Sequence, residues 1–277
     1  MPDDSKVSRA RQSELLMAKP QIHETWKSDY LNSDFDLIYD DAISGIAQIV
    51  PASSHPKLLD AGCGYGYHSV RLAKCGYQVT GFDFSESALT EAGRHIADSG
   101  FESNISIRRG NILHLDMPDE FFDVVFCWGV LMHIPDVETA LSELVRVLRP
   151  GGKLVLAENS AHSMDVRLIE PVVRAAKRLL GRQLNEHVWN EWGVEEWAMQ
   201  SRGGLMVRKT NFDLLEEFLA EKGMVKLNKY TSQYTEIYNR IPIRALKRVV
   251  YGSNRLVLAM KSNVPYSLTS IIILEKV

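Results

Sequence analysis

Cysteine is scarce in this chain. The three residues present, Cys63, Cys75 and Cys127, form no C-x-x-C pair and no metal-ligand spacing, which excludes a disulfide framework and a thiolate zinc site. Reduced thiols in a cytoplasmic protein are the expected state. No apolar run approaches the roughly 18 residues needed to span a bilayer. Residues 1–20 mix Asp, Lys, Arg and Ser where a secretory signal would be apolar. Excess positive charge is lacking too: 32 Lys and Arg stand against 35 Asp and Glu, a net charge of -3, so nothing draws the whole chain to nucleic acid. No internal repeat or low-complexity tract stands out. The 277 residues suffice for one α/β domain with additions.

What is present is an alternation of strand and helix signals from residue 57 to about 158. Residues 57–60 read as a short buried strand ending in glycines. Residues 67–75 read as a helix with Val70, Leu72 and Ala73 available for its inner face. A second strand covers 78–82, and Ser85 can cap the helix that follows through 99. Residues 105–109 alternate as a third strand. The continuous apolar run at 122–126 is the signature of a strand covered on both faces. A helix over 139–148 is expected to stop at Pro150-Gly151-Gly152, with a fifth strand at 153–157. Such alternation predicts a parallel, doubly wound sheet. The pattern then breaks. Residues 162–209 carry two helical stretches and Trp189, Trp192 and Trp197, and read as an insertion over the strand ends. A helix (212–222), a strand (224–229), a basic and partly helical stretch (240–261) and a last strand (267–274) follow. The expected division is an N-terminal helical arm or lid (1–50), a core (51–160), a cap over the active site (161–209) and a C-terminal completion of the sheet (210–277).

The most informative stretch is Leu58-Leu59-Asp60-Ala61-Gly62-Cys63-Gly64-Tyr65-Gly66: a strand, a glycine-rich turn, then a helix. Glycines there let the backbone pass close to a ligand and adopt positive φ. A nucleotide-binding α/β fold needs that turn at the carboxyl end of its first strand. In Val79-Thr80-Gly81-Phe82-Asp83-Phe84-Ser85, Asp83 ends the second strand, where a carboxylate can accept from both hydroxyls of a ribose. Asp83 alone could instead be a carboxylate favoured at a helix N-terminus.

These features, with Gly110-Asn111-Ile112-Leu113, Phe122-Asp123-Val124-Val125-Phe126-Cys127-Trp128 and Arg146-Val147-Leu148-Arg149-Pro150-Gly151-Gly152-Lys153-Leu154 downstream, resemble the class I methyltransferases that use S-adenosyl-L-methionine (SAM) and release S-adenosyl-L-homocysteine (SAH). The resemblance covers residues 57–158 well and the flanks poorly. It implies a Rossmann-like, mostly parallel seven-stranded sheet with the last strand antiparallel, here with a helical cap insertion. It also implies roles by position. Asp60, Gly62, Cys63, Gly64 and Gly66 would shape the pocket for the methionine part, and Asp83 would hold the ribose. Phe84 would pack on the adenine, or serve only the core. Asn111 and Ile112 would sit at the adenine edge. Many members carry Asp where Asn111 stands, and an amide there both donates and accepts. Cys127 and Trp128 would end the fourth strand near the methionine moiety. In this fold an N-terminal arm commonly crosses the cofactor. Trp26 and Tyr30, four apart on one helical face, would then close the pocket, or else anchor the arm to the core.

Methyl transfer from a sulfonium requires proximity and orientation, and a base only where the acceptor is a hydroxyl, an ammonium or an acidic carbon. His133, in Trp128-Gly129-Val130-Leu131-Met132-His133, is the candidate base, which slightly favours O-methylation. It could instead bond backbone carbonyls and order the loop. Some quinone-type O-methyltransferases resemble this segment but place two metal-binding glutamates where Gly129 and Met132 stand, so no metal is expected and the polyprenyl hydroxyquinol acceptor is in doubt. Nucleobase amine methyltransferases use Asn/Asp-Pro-Pro-aromatic after the fourth strand. Its absence, with the acidic net charge, argues for a small-molecule acceptor and against DNA or RNA. Residues 166–182 hold Arg167, Arg174, Lys177, Arg178 and Arg182 against one acid, and residues 240–261 hold six basic residues and no acid. These stretches admit an anionic or lipid-linked acceptor, or are solvated faces of cap helices. Glu158, His162, His187 and Tyr234 are further candidates near the acceptor. Two other readings remain: a SAM-binding regulatory or partner subunit without catalysis, and a nicotinamide-dependent oxidoreductase. The latter fits poorly, since Tyr67 stands where G-x-G-x-x-G needs its third glycine.

Overall fold

The computed structural model describes residues 33–197, 206–240 and 243–277. Trp26 and Tyr30 therefore lie outside the described residues. In chain order the elements are α1 (Ser33–Ile49), β1 (Lys57–Ala61), α2 (Tyr67–Lys74), β2 (Gln78–Asp83), α3 (Glu86–Ser99), β3 (Ile105–Arg109), β4 (Phe122–Trp128), a 3-10 turn (Leu131–His133), α4 (Val137–Arg146) and β5 (Leu148–Asn159). Then come a π-helical turn (Asp165–Ile169), α5 (Glu170–Leu179), β6 (Glu186–Asn190), β7 (Gly193–Trp197), β8 (Met206–Thr210), α6 (Phe212–Glu221), β9 (Met224–Gln233), α7 (Arg244–Ala259) and β10 (Thr269–Lys276).

Seven strands form the main sheet in the order β3-β2-β1-β4-β5-β10-β9. Strands β1 to β5 pair in parallel, and β10 runs antiparallel between β5 and β9. The expected topology, last strand included, is thus the observed one. The apolar run of β4 sits at its centre and alternates between two cores, as a strand covered on both sides must. Val125 and Cys127 join the cluster under α4 and α6. Val124 and Phe126 join the cluster under α1, α2 and α7. The helix ends follow local chemistry. Ser85 Oγ accepts from the Ala88 N–H, and α3 ends at Gly100 with φ 74. Asp136 accepts from the Thr139 N–H at 3.1 Å and starts α4 two residues before the expected position.

Two expectations need correction. Pro150-Gly151-Gly152 does not simply terminate a helix: β5 begins at Leu148 and runs through these residues, with Gly151 at φ 74. Among the described residues of 162–209, only the first half is helical. The second helical stretch is replaced by β6, β7 and β8, a three-stranded antiparallel sheet. The alternation of His187, Val188 and Trp189 suits a strand, and Gly193 permits the tight entry into β7. At Gly193, with φ 128, a Cβ would sit 2.0 Å from the Lys209 carbonyl oxygen, a space only glycine leaves open.

Candidate active site

The carboxyl ends of β1, β2 and β4 meet at the glycine loop. Gly62, Gly64 and Gly66 all have positive φ (81, 51 and 75°). The N–H groups of Gly62 and Cys63 donate to the Phe82 carbonyl at 2.7 and 2.9 Å, lashing the loop to β2. Gly66, left-handed, caps α2. A Cβ on Gly64 or on Gly129 would meet nothing within 4 Å, so backbone at both faces open space. A Cβ on Gly62 would stand 2.4 Å from Val130 Cγ2. The loop after β4 is therefore laid directly over the loop after β1, and only glycine allows that approach.

Asp83, half-buried at the end of β2, is drawn onto this loop. Its Oδ2 accepts from the Gly64 N–H at 2.8 Å, and Oδ1 accepts from the Ser85 N–H at 2.9 Å. Asp60 is buried and accepts from Ser69 Oγ at 2.6 Å. Burial pushes its carboxyl up to about 7, the Ser69 hydroxyl pulls it back, and the negative charge of Asp83 adds to the rise. Two acids beside an open, backbone-lined cradle suit a ligand carrying both ribose hydroxyls and positive charge, as an adenosyl sulfonium does.

The remaining expected positions differ in character. Phe84 is half-buried. Asn111 is exposed, and its Oδ1 accepts from the Leu113 N–H at 2.9 Å, closing a turn. Ile112 is buried in the core. Cys63 packs against β2, where a Cβ on Gly81 would meet its sulfur at 3.1 Å. Cys127 is fully buried. Burial pushes both thiols up, away from thiolate chemistry. Trp128 turns to the opposite face of the sheet from Cys127, into a cluster with Tyr39 (5.8 Å between ring centroids), His68 (5.3 Å) and Phe126 (5.9 Å). Sequence reading passed over His68. Its Nδ1 is buried without a hydrogen-bond partner, and burial with the nearby Arg71 charge pushes the imidazole down to about 3, so it is neutral.

His133 is buried, and its Nδ1 lies 2.9 Å from the Met206 carbonyl oxygen of β8. A carbonyl accepts only, so Nδ1 carries a proton. Two buried side chains hold the surrounding turn. Glu158 Oε1, at the end of β5, accepts from the N–H groups of Val130 (3.1 Å) and Leu131 (3.0 Å). Burial pushes Glu158 up to about 8, against the opposing pull of those N–H donors and Arg208. Arg208, 2 % exposed, donates to the carbonyls of Ile134 (2.7 Å), Pro135 (3.1 Å) and Leu131 (3.4 Å) and to Glu195 Oε1 (2.7 Å). Glu195 and Arg208 are register partners across β7 and β8. Sequence reading missed both, because nothing local marks a pair 13 residues apart.

The other insertion residues divide. Trp192 is buried, with its Nε1 3.2 Å from Glu138, and Trp197 donates to Glu195. Trp189 is 64 % exposed. His187 sits beside Glu196, His162 is exposed, and Tyr234 OH lies 3.7 Å from Met164 Sδ. Among the described residues, no group of three or more His, Cys, Asp and Glu could hold a metal ion.

A family model described as a methyltransferase domain matches residues 59–156. The chain is 32% identical over 171 residues to the demethylmenaquinone methyltransferase of Lactiplantibacillus plantarum, covering 58% of this chain and 71% of that protein. This chain belongs to the class I SAM-dependent small-molecule methyltransferases. A second relative of this methyltransferase, the ubiquinone biosynthesis O-methyltransferase of Idiomarina loihiensis, is 30% identical over 169 residues, 61% of this chain and 65% of that one. Among solved structures, a Pyrococcus horikoshii protein superposes with a TM-score of 0.60 at 17% identity, covering 92% of this chain and 99% of the other. That likeness speaks for the fold alone. SAM is accordingly the cofactor of the methyltransferase. No helix of its described residues is long and apolar enough to cross a membrane.

Proposed function

We propose that this methyltransferase methylates a hydroxyl oxygen on a small, apolar acceptor, with His133 as the general base. One observation carries the reading: His133 is buried in the turn after β4, the turn that lies over the glycine loop, with its Nδ1 held by the Met206 carbonyl. Bound SAM supplies a methyl group activated by its sulfonium. In this assignment Gly62, Gly64 and Gly66 admit the methionine part, Asp60 and Asp83 supply negative charge, and Asp83 accepts from the ribose hydroxyls. The exposed amide of Asn111 and the half-buried ring of Phe84 bind the adenine, with the Ile112 backbone beside them. Cys63 and Cys127 act by packing, and Trp128 by walling the far side of the strand end. Residues 161–209 serve as the cap, a role supported by the bonds from β8 to the His133 turn. Oxygen as the methylated atom is supported by the Idiomarina relative, an O-methyltransferase. An apolar acceptor is supported by the quinone names of both relatives.

The test is His133→Ala, assayed on hydroxylated quinones and phenols of increasing size. Turnover should fall by about 10²- to 10⁴-fold with SAM affinity within about twofold of wild type, and the acidic limb of the kcat/KM profile should disappear. Unchanged turnover, or a retained acidic limb, would remove His133 from the proton transfer.

A further inference from the structure

Helix α5 leaves the main sheet at the end that carries the glycine loop, and it buries none of its residues. Its Val172, Leu179 and the adjoining Leu180 are 69, 88 and 71 % exposed. At 100° per residue they fall with Ala176 on one side of the helix, while Arg174, Lys177 and Arg178 fall on the other. The apolar stripe thus faces solvent, the reverse of an ordinary surface helix. The single acid of α5, Glu170, is already paired with Lys209, so the helix is left strongly positive. Arg174 also donates to the Asn185 carbonyl at 3.2 Å, and this ties α5 to the start of the small sheet, whose Trp189 is likewise exposed.

We infer that α5 is a docking surface for an anionic lipid bilayer, lying in the plane of the headgroups with its leucines and valine in the acyl boundary. Two arguments select lipid over a protein partner. A helix of 10 residues offers far less than the roughly 800 Å² per partner of a stable protein interface. Aliphatic side chains flanked by long basic ones, with a tryptophan nearby, match an anionic interface, where basic stems snorkel to the phosphates and indoles favour the headgroup level. The helix is too short to span a bilayer, so it rests on the surface. Docking there would set the cap and the His133 turn close to the membrane, whatever the acceptor.

The test is co-sedimentation of the full chain with vesicles of equal phosphatidylglycerol and phosphatidylcholine, and with vesicles of phosphatidylcholine alone. The wild type should bind the anionic vesicles, bind the neutral ones weakly, and release with added salt. Val172→Glu/Leu179→Glu and Lys177→Glu/Arg178→Glu should each lower partition onto anionic vesicles by about tenfold or more. Circular dichroism and melting temperature should not change, since Val172, Lys177, Arg178 and Leu179 are all exposed. No binding by the wild type, equal binding to both vesicle types, or wild-type binding by both double variants would overturn the inference. So would self-association that Val172→Glu/Leu179→Glu abolishes in the absence of vesicle binding, which would assign the stripe to a second copy of the chain.

Discussion

Replacing Arg208 with Met isolates what holds the His133 turn in place. Met keeps most of the aliphatic volume and removes the guanidinium. The carbonyls of Ile134 and Pro135 then lose the guanidinium donor, that of Leu131 keeps only the Ile134 N–H, and Glu195 loses its charge partner. Breaking a buried pair from one side costs about 3–5 kcal/mol. Glu195 keeps two donors, Asn190 Nδ2 at 2.9 Å and Trp197 Nε1 at 3.1 Å, which places the cost near the lower end, about 3 kcal/mol. For a chain of this size, that corresponds to a melting-temperature loss of roughly 6–12 °C. Urea denaturation and a thermal scan measure it. Arg208→Met/Glu195→Gln should recover part of the loss, because the neutral amide no longer strands a charge. Turnover should fall in both variants, since the carbonyl clamp on the turn is gone in each. If Arg208→Met alone unfolds within about 1 kcal/mol of wild type, the clamp contributes nothing and the account of the turn is wrong.

Glu158 offers a contrast. Burial favours its protonated form near neutrality, so Glu158→Gln should cost less than about 1 kcal/mol. Glu158→Ala leaves the Val130 and Leu131 N–H groups buried without an acceptor and should cost about 2–4 kcal/mol; equal losses in the two variants would deny the loop-holding role. A pH dependence follows from the same physics. The folded-state values of Asp60 (about 7) and Glu158 (about 8) lie above the ordinary carboxyl values of 3.8 and 4.5. The folded chain therefore binds more protons than the unfolded one between those values, and stability should fall as pH rises from about 4 to 8. A positively charged ligand beside Asp60 favours its carboxylate. SAM binding should then release a proton below pH 7, and affinity should rise with pH up to about that value. Calorimetry in buffers of different ionisation enthalpy reads the proton count, and Asp60→Asn should abolish it.

The elements that were legible from sequence are those whose signals are local. The strand at Leu58 and Leu59 ends in Gly62, Gly64 and Gly66 because the bend demands positive φ. Asp83 and Ser85 mark a strand end and a helix cap within three residues. What escaped depends on partners distant in the chain. The β6–β8 sheet exists because β7 finds β8 across an intervening segment, and strand signals that weak are settled by pairing rather than propensity. Pro150-Gly151-Gly152 punctuates a helix locally, yet parallel pairing with β4 and antiparallel pairing with β10 hold the following residues extended. Arg208 reads as one basic residue among several. Its function lies in carbonyls 73 to 77 residues earlier, and no local pattern announces them. His133 was legible as a candidate, whereas the bond that holds its Nδ1 comes from β8.

The central claim is that the glycine loop and Asp83 together grip the adenosyl part of SAM. Isothermal titration of SAM and SAH into the wild type and into Asp83→Ala tests it most directly. The account predicts saturable one-to-one binding to the wild type and a loss of about 1–3 kcal/mol in Asp83→Ala, roughly 5- to 150-fold in Kd, from ribose hydroxyls left without their acceptor. Wild-type affinity in Asp83→Ala, or no binding of either ligand to the intact chain, would contradict it.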